Sequence, residues 1–203
     1  MYLEFRRSLE KFVVITLADI RMAFPDFDQK NLVNWQKKGY ITKLKNGCYI
    51  FSDVKTTEQT LFLIANKLYE PSYVSLESAL SFYGIIPEGV YSIQSVSTRK
   101  TQVFNTPQGT FRYYSFKPSL YFGYHLMAEA VAHPYRLASR EKAILDFLYL
   151  RSDIDCAEAL EALRWNRAEL ANLDRTLLNN YLSLFESRTL SKKIDLLYNY
   201  LNA

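Results

Sequence analysis

Bond-breaking chemistry needs acid–base, nucleophilic or metal-binding groups that converge, and this 203-residue chain is poor in them. It carries two histidines, His125 and His133, with no carboxylate cluster beside either in sequence. Glycine is scarce at six residues, and neither a Gly-rich phosphate loop nor a Gly-x-Ser-x-Gly elbow occurs. Cys48 and Cys156 stand far apart and outside any Cys-x-x-Cys pair, so neither a disulfide nor a zinc site is expected. Glu141, Lys142 and Asp146 fall within one helical turn and its neighbour. A metal-binding nuclease fragment is one reading of them, but the i, i+4 spacing of Lys142 and Asp146 points to an ion pair beside a capping acid. The expectation is therefore a protein that is not an enzyme, with no catalytic residue, no metal and no cofactor.

The residue types that do suggest a chemistry are lysine and asparagine near the start of the chain. Residues 1–55 hold ten lysines and arginines against six acids, which accounts for the whole net charge of +4, and the rest of the chain balances. From Gln29 to Gly47 there are five lysines and no acid, a density suited to a surface that meets phosphates. With Leu32 and Trp35 turned inward, the 100° step of a helix puts Lys30, Asn31, Asn34, Lys37 and Lys38 outward. Asparagine pairs bidentately with adenine in the major groove, while lysines mostly reach phosphate oxygens. Lys43, Lys45 and Asn46 would extend the contact, and Gln29 would add a lesser one.

The elements that position these residues can be read from the pattern. Phe12–Ile15 suits a strand, Thr16 and Asp19 suit a helix start, and Leu17, Ile20, Ala23 and Phe24 recur at helical spacing until Pro25 stops them. Asp28 can cap a second helix that runs to Lys38 and ends at Gly39. Tyr40–Leu44 and Cys48–Phe51 then flank Asn46-Gly47, a signal for a hairpin with a type I′ turn. Helix, turn, helix and two-stranded wing is the order of a winged helix-turn-helix.

Residues 56–203 read as an α+β domain. Thr56 or Thr57 caps a buried helix over 57–69, and Ser75 caps a second over Leu76–Tyr83. Strand-like segments at 91–98, 103–104, 111–116 and 121–124 suggest an antiparallel sheet rich in aromatic residues. Ser139 caps a helix through Arg151, and further helices are expected near 156–165, 174–185 and 190–201. The predicted fold class is α+β: an N-terminal winged helix-turn-helix (1–55), then a mixed domain (56–203) with an antiparallel sheet and C-terminal helices.

Ser72–Glu88 (SYVSLESALSFYGIIPE) resembles the signature segment of the AbiEi-type antitoxins of type IV toxin–antitoxin and abortive-infection systems. Thr106–Tyr114 with Gly123-Tyr124, and Ala138–Tyr149 (ASREKAILDFLY), are similar to that family's later blocks, although Arg140 stands where the family pattern leads to proline. The likeness covers about residues 10 to 150. It implies an antitoxin that represses its own operon by binding double-stranded DNA at inverted repeats in its promoter. It also implies that the protein counters a neighbouring nucleotidyltransferase-like toxin functionally rather than through a stable complex. Antitoxicity would fall to the second domain, where Arg99, Lys100 and Arg112 are the basic candidates.

Two other readings stay open. One is a winged-helix transcription factor whose second domain senses a ligand or dimerises. The other is a nucleic-acid-processing enzyme that uses the wing for docking; Tyr113, Tyr114, Tyr121 and Tyr124 keep single-stranded RNA in view. No apolar run reaches the ~18 residues that cross a bilayer, and Met1–Glu10 lacks a leader pattern, so no membrane partner and a cytoplasmic location are expected.

Overall fold

The computed structural model describes every residue except 88, 90, 129–133 and 203, together with the side chain of residue 202. His133 thus lies outside the described residues. The chain opens with helix α1 (Tyr2–Leu9), strand β1 (Ile15–Thr16) and helices α2 (Leu17–Ala23) and α3 (Lys30–Lys37). A hairpin of β2 (Ile41–Lys45) and β3 (Cys48–Phe51) follows, and the three strands form an antiparallel sheet in the order β1-β3-β2. Thr16 and Asp19 form a reciprocal capping box, with the Thr16 hydroxyl accepting from the Asp19 amide at 3.2 Å, so α2 starts where its sequence signals it. Helix α1 was not anticipated, and the strand expected over 12–15 is reduced to Ile15–Thr16. The hairpin turn also differs from expectation. Gly47 takes φ +78°, but the non-glycine residues at positive φ among those described are Leu76, Arg164 and Glu186. Asn46 therefore lacks the second positive φ of a type I′ turn, and a register shift between Lys43 and Lys45 absorbs the difference.

The larger part is an α+β unit around a six-stranded sheet. Its strands are β4 (Ser72–Val74), β5 (Ser92–Ser97), β6 (Gln102–Thr106), β7 (Gly109–Ser115), β8 (Tyr124–Met127) and β9 (Tyr135–Ala138), in the order β6-β7-β5-β4-β9-β8. This sheet is mixed, not antiparallel: β5 runs parallel to β7 and β4 parallel to β9. Helices α4 (Glu58–Leu68) and α5 (Leu76–Phe82) flank β4 in sequence. Helix α6 (Arg140–Leu150) leads to the C-terminal helices α7 (Ala157–Glu161), α8 (Arg167–Ala171), α9 (Arg175–Phe185) and α10 (Arg188–Asn202). The helix expected over 156–165 is shorter, with α7 ending at Glu161 ahead of Arg164 at φ +50°, and α8 is a further helix beyond the expected range. The strand expected at 121–124 gives way to a 3-10 turn at Pro118–Leu120, where the fixed proline φ opens a turn, and β8 begins only at Tyr124.

Two apolar clusters meet on β3. Phe5, Leu9, Ile15, Ile20, Leu32, Trp35, Ile41, Tyr49 and Phe51 form the smaller core beneath α1–α3. Cys48 and Ile50 instead join Val14, Leu44 and the α4 residues Phe62–Ala65 in the larger core. Alternate side chains of a strand point to opposite faces, so all four β3 residues are buried, two in each core. The division into 1–55 and 56–203 is thus bridged by shared packing. Ile50→Ala should cost about 2–5 kcal/mol of stability. Urea unfolding followed at Trp35 and at Trp165, in variants that keep only one of the two tryptophans, should give coincident transitions; separate midpoints would show that the two cores are independent.

Candidate nucleic-acid interface

Helix α3 is fixed at both ends by local bonds. The Asp28 carboxylate accepts from the Lys30 amide at 2.9 Å, so the expected cap acts although the helix proper begins after Gln29. At the other end Gly39, at φ +70°, donates to the Gln36 carbonyl (3.0 Å) and Tyr40 donates to that of Trp35 (2.9 Å). Those two bonds form a Schellman motif, in which the left-handed residue closes the last turn. The Tyr40 ring then stacks on Tyr2 at 4.4 Å, and Tyr2 packs edge-on against Trp35 at 5.3 Å. With Leu32 and Trp35 buried, the inward face of α3 is fixed and its outer side follows.

Lys30, Asn34, Lys37 and Lys38 are exposed on that outer side, as are Gln29 before the helix and Lys43 and Asn46 in the hairpin. None of Lys30, Lys37, Lys38 and Lys43 has a carboxylate partner among the described residues, whereas Arg6 is committed to Asp53 at 2.7 Å. Two of the expected residues stand apart. Asn31 is half-buried, its amide nitrogen donating to the Asp28 carbonyl at 3.0 Å, so it belongs to the helix start. The Lys45 ammonium donates to the Leu68 carbonyl at the end of α4 and lies 5.1 Å from the Phe104 ring centre. It ties the hairpin to the larger unit and is not offered to a ligand. Val33, which in sequence carries no chemical signal of its own, is also exposed on this helix.

The second-domain basic residues do not form one cluster. Arg99 stacks on Tyr69 at 4.6 Å and donates to the Glu70 carbonyl at 3.1 Å. Exposed Lys100 follows it, its carbonyl accepting from Tyr69, while Arg112 is exposed in mid-β7 opposite Val103. The tyrosines considered for base stacking are engaged otherwise. Tyr113 is buried and donates to the Ala65 carbonyl at 2.7 Å, Tyr121 and Tyr124 pack on Tyr73, and Tyr114 is half-buried. His125 is exposed on the edge strand β8.

The strongest polar constellation lies inside the larger unit. Lys142 and Asp146 are paired as their spacing suggests, but both side chains are fully buried. Asp146 also accepts from the Tyr73 hydroxyl at 2.9 Å and from Ser75 Oγ at 2.7 Å, and Lys142 donates to Tyr73 at 2.9 Å. Ser75 therefore serves the carboxylate and makes no capping bond to α5. The Lys142 ammonium stands 4.8–5.4 Å from the ring centres of Phe122, Phe185, Tyr73 and Phe116. Burial pulls the lysine down and pushes the aspartic acid up, and their mutual attraction opposes both. Glu141 is buried too and accepts from the Asp174 amide at 3.1 Å. Three chain segments meet here: Tyr73 and Ser75 at β4, Gly123-Tyr124 at the start of β8, and Ser139, Lys142 and Asp146 at α6.

No protein-family model and no curated sequence matches this chain. Among the described residues no helix is long and apolar enough to cross a membrane.

Lys142→Met would leave the Asp146 carboxylate buried without its cation, at a cost of about 3–5 kcal/mol. Adding Asp146→Asn, which still accepts from Ser75 and Tyr73, should recover part of that loss in urea unfolding. Burial also pushes the Tyr83 phenol up to about 12, while its hydroxyl donates to the Ala138 carbonyl at 2.8 Å. Folded and unfolded chains are both protonated below about pH 10, so the contribution is intact there and is lost as pH rises from about 10 to about 12. Tyr83→Phe should flatten the alkaline fall of the urea midpoint over that window.

Proposed function

We propose that this chain is a non-enzymatic winged-helix protein that binds double-stranded DNA through α3 and the β2–β3 hairpin, and that it represses transcription from its own promoter. The observation that carries this reading is the outer side of α3, where Lys30, Asn34, Lys37 and Lys38 are exposed and the three lysines lack carboxylate partners among the described residues. The order α1-β1-α2-α3-β2-β3 and the sheet order β1-β3-β2 support the winged helix. In that arrangement α3 enters the major groove, Asn34 is presented to base edges, and Lys43 and Asn46 track the flanking backbone. Inverted repeats are the expected target, and the cytoplasm the expected location. The resemblance to AbiEi-type antitoxins supports the wider role: antitoxin to a neighbouring nucleotidyltransferase-like toxin, acting without a stable complex.

A ligand-sensing transcription factor is the second reading. It is favoured by a cleft of about 370 Å³ between the two units, lined by Phe12, Val14, Asp19, Asn66, Glu70 and Arg136.

Binding of the full-length protein to the fragment upstream of its own reading frame, measured across a salt series, tests the DNA reading. Lys37→Ala and Lys38→Ala should each lower the log–log salt slope by about 0.9, the release of counterions from one phosphate. Asn34→Ala should change sequence preference more than salt slope. Unchanged slopes in both lysine variants would exclude this surface. Co-expression that fails to rescue growth from the neighbouring toxin would remove the antitoxin role and leave the DNA role standing.

A further inference from the structure

We infer that Val33 reads DNA sequence by packing on the 5-methyl group of a thymine in the major groove, on the opposite flank of α3 from the residue that meets adenine. The inference rests on the DNA-binding reading and names what that same surface selects. Val33 is 52% exposed and packs into neither apolar core. The other apolar residues of α3, Leu32 and Trp35, are buried, and the exposed ring of Tyr40 is accounted for by its stacking on Tyr2. Val33 alone on this helix exposes apolar surface that no intramolecular contact uses. Its type adds to the argument, because a β-branched residue is a weaker helix former than the Lys, Gln and Ala that suit an exposed helical site.

Its position fits a base contact. At 100° per residue Lys30 and Lys37 lie on one line along the centre of the outer side, with Asn34 on one flank and Val33 on the other. Lysine side chains are long and reach phosphates at the groove walls, whereas valine and asparagine are short and touch base edges only where the helix axis runs deep. The thymine methyl is the apolar group that the major groove presents, and adenine N6/N7 is the pair that asparagine matches. A helix carrying both, separated by a cationic ridge, selects a site with a thymine and an adenine on either side of the helix axis.

The test uses full-length protein and a random-sequence duplex pool to obtain a bound site, followed by replacement of each thymine with deoxyuridine, which removes the methyl and nothing else. One thymine per half-site should prove sensitive, with affinity for the wild type falling about fourfold, the worth of one buried methyl. Val33→Ala should bind the thymine duplex more weakly by a similar factor and ignore the uracil exchange at that position, while Val33→Ile should keep the sensitivity. All three proteins should fold alike, since the site is exposed. Equal uracil sensitivity in wild type and Val33→Ala, or none at any thymine, overturns the inference; the DNA reading survives if Asn34→Ala still shifts the selected site. A pool that yields no enriched site, with wild type and Lys37→Ala binding alike, removes the underlying reading as well.

Discussion

A cation with no solvent around it organises the larger unit. Desolvating an ammonium costs several kcal/mol, and Lys142 recovers this through Asp146 one turn along, the Tyr73 hydroxyl and four aromatic rings. These five partner residues come from four segments: Tyr73 from β4, Phe116 and Phe122 from the connection after β7, Asp146 from α6 and Phe185 from α9. The fit is close enough to constrain backbone. A Cβ on Gly123 would lie 3.1 Å from Lys142 Cβ and Cδ and 3.0 Å from Tyr181, and its φ of +72° already favours glycine. Ser75, held by Asp146, precedes Leu76 at φ +56°, a conformation that costs a bulky residue on the order of 1–2 kcal/mol. That strain persists because both neighbours of the bond are fixed, Ser75 by the carboxylate and Leu76 by burial.

A second constraint carries this rigidity to the candidate interface. Because β3 sends Cys48 and Ile50 into one core and Tyr49 and Phe51 into the other, the hairpin cannot shift without opening both. Lys45 adds a polar tie to the end of α4. The Leu17 amide donates to the Gly47 carbonyl at 3.0 Å, and Leu17 packs against Gly47 at 3.4 Å from where a Cβ would lie, so α2 is held to the same turn. Helix α3 is thus oriented relative to the whole molecule, not merely to the first 55 residues.

Much of this was legible in the residues where local chemistry decides. Thr16 with Asp19, Thr57, Ser139 and Gly39 act as helix ends as their types dictate, because caps depend on one or two near neighbours. What escaped depended on distant partners. Ser75 has the type of a cap, but a buried carboxylate 71 residues away claims its hydroxyl. Lys45 resembles its exposed neighbours in sequence, and only packing against α4 turns it inward. Parallel pairing of β5 with β7 has no signature in alternation, since both hands of pairing use the same period. The i, i+4 spacing of Lys142 and Asp146 was readable, but their burial was not, because a charged pair on a helix is ordinarily a surface feature.

The charge economy of the molecule bears on how it would discriminate. Three lysines on the α3 surface and one in the hairpin are few, so under the proposed reading counterion release from about four phosphates would give a shallow salt slope and weak affinity for arbitrary DNA. The charge-balanced remainder adds no broad positive field. A protein so built would gain little from polyanion attraction alone, and any tight binding must come from groups that distinguish one base pair from another. A rigidly oriented α3 suits that requirement, since short side chains such as those of Asn34 and Val33 tolerate no error in depth or rotation, whereas long lysines would. The buried ion pair and the shared strand, neither of which touches the proposed ligand, thereby provide the stiffness on which base reading would depend.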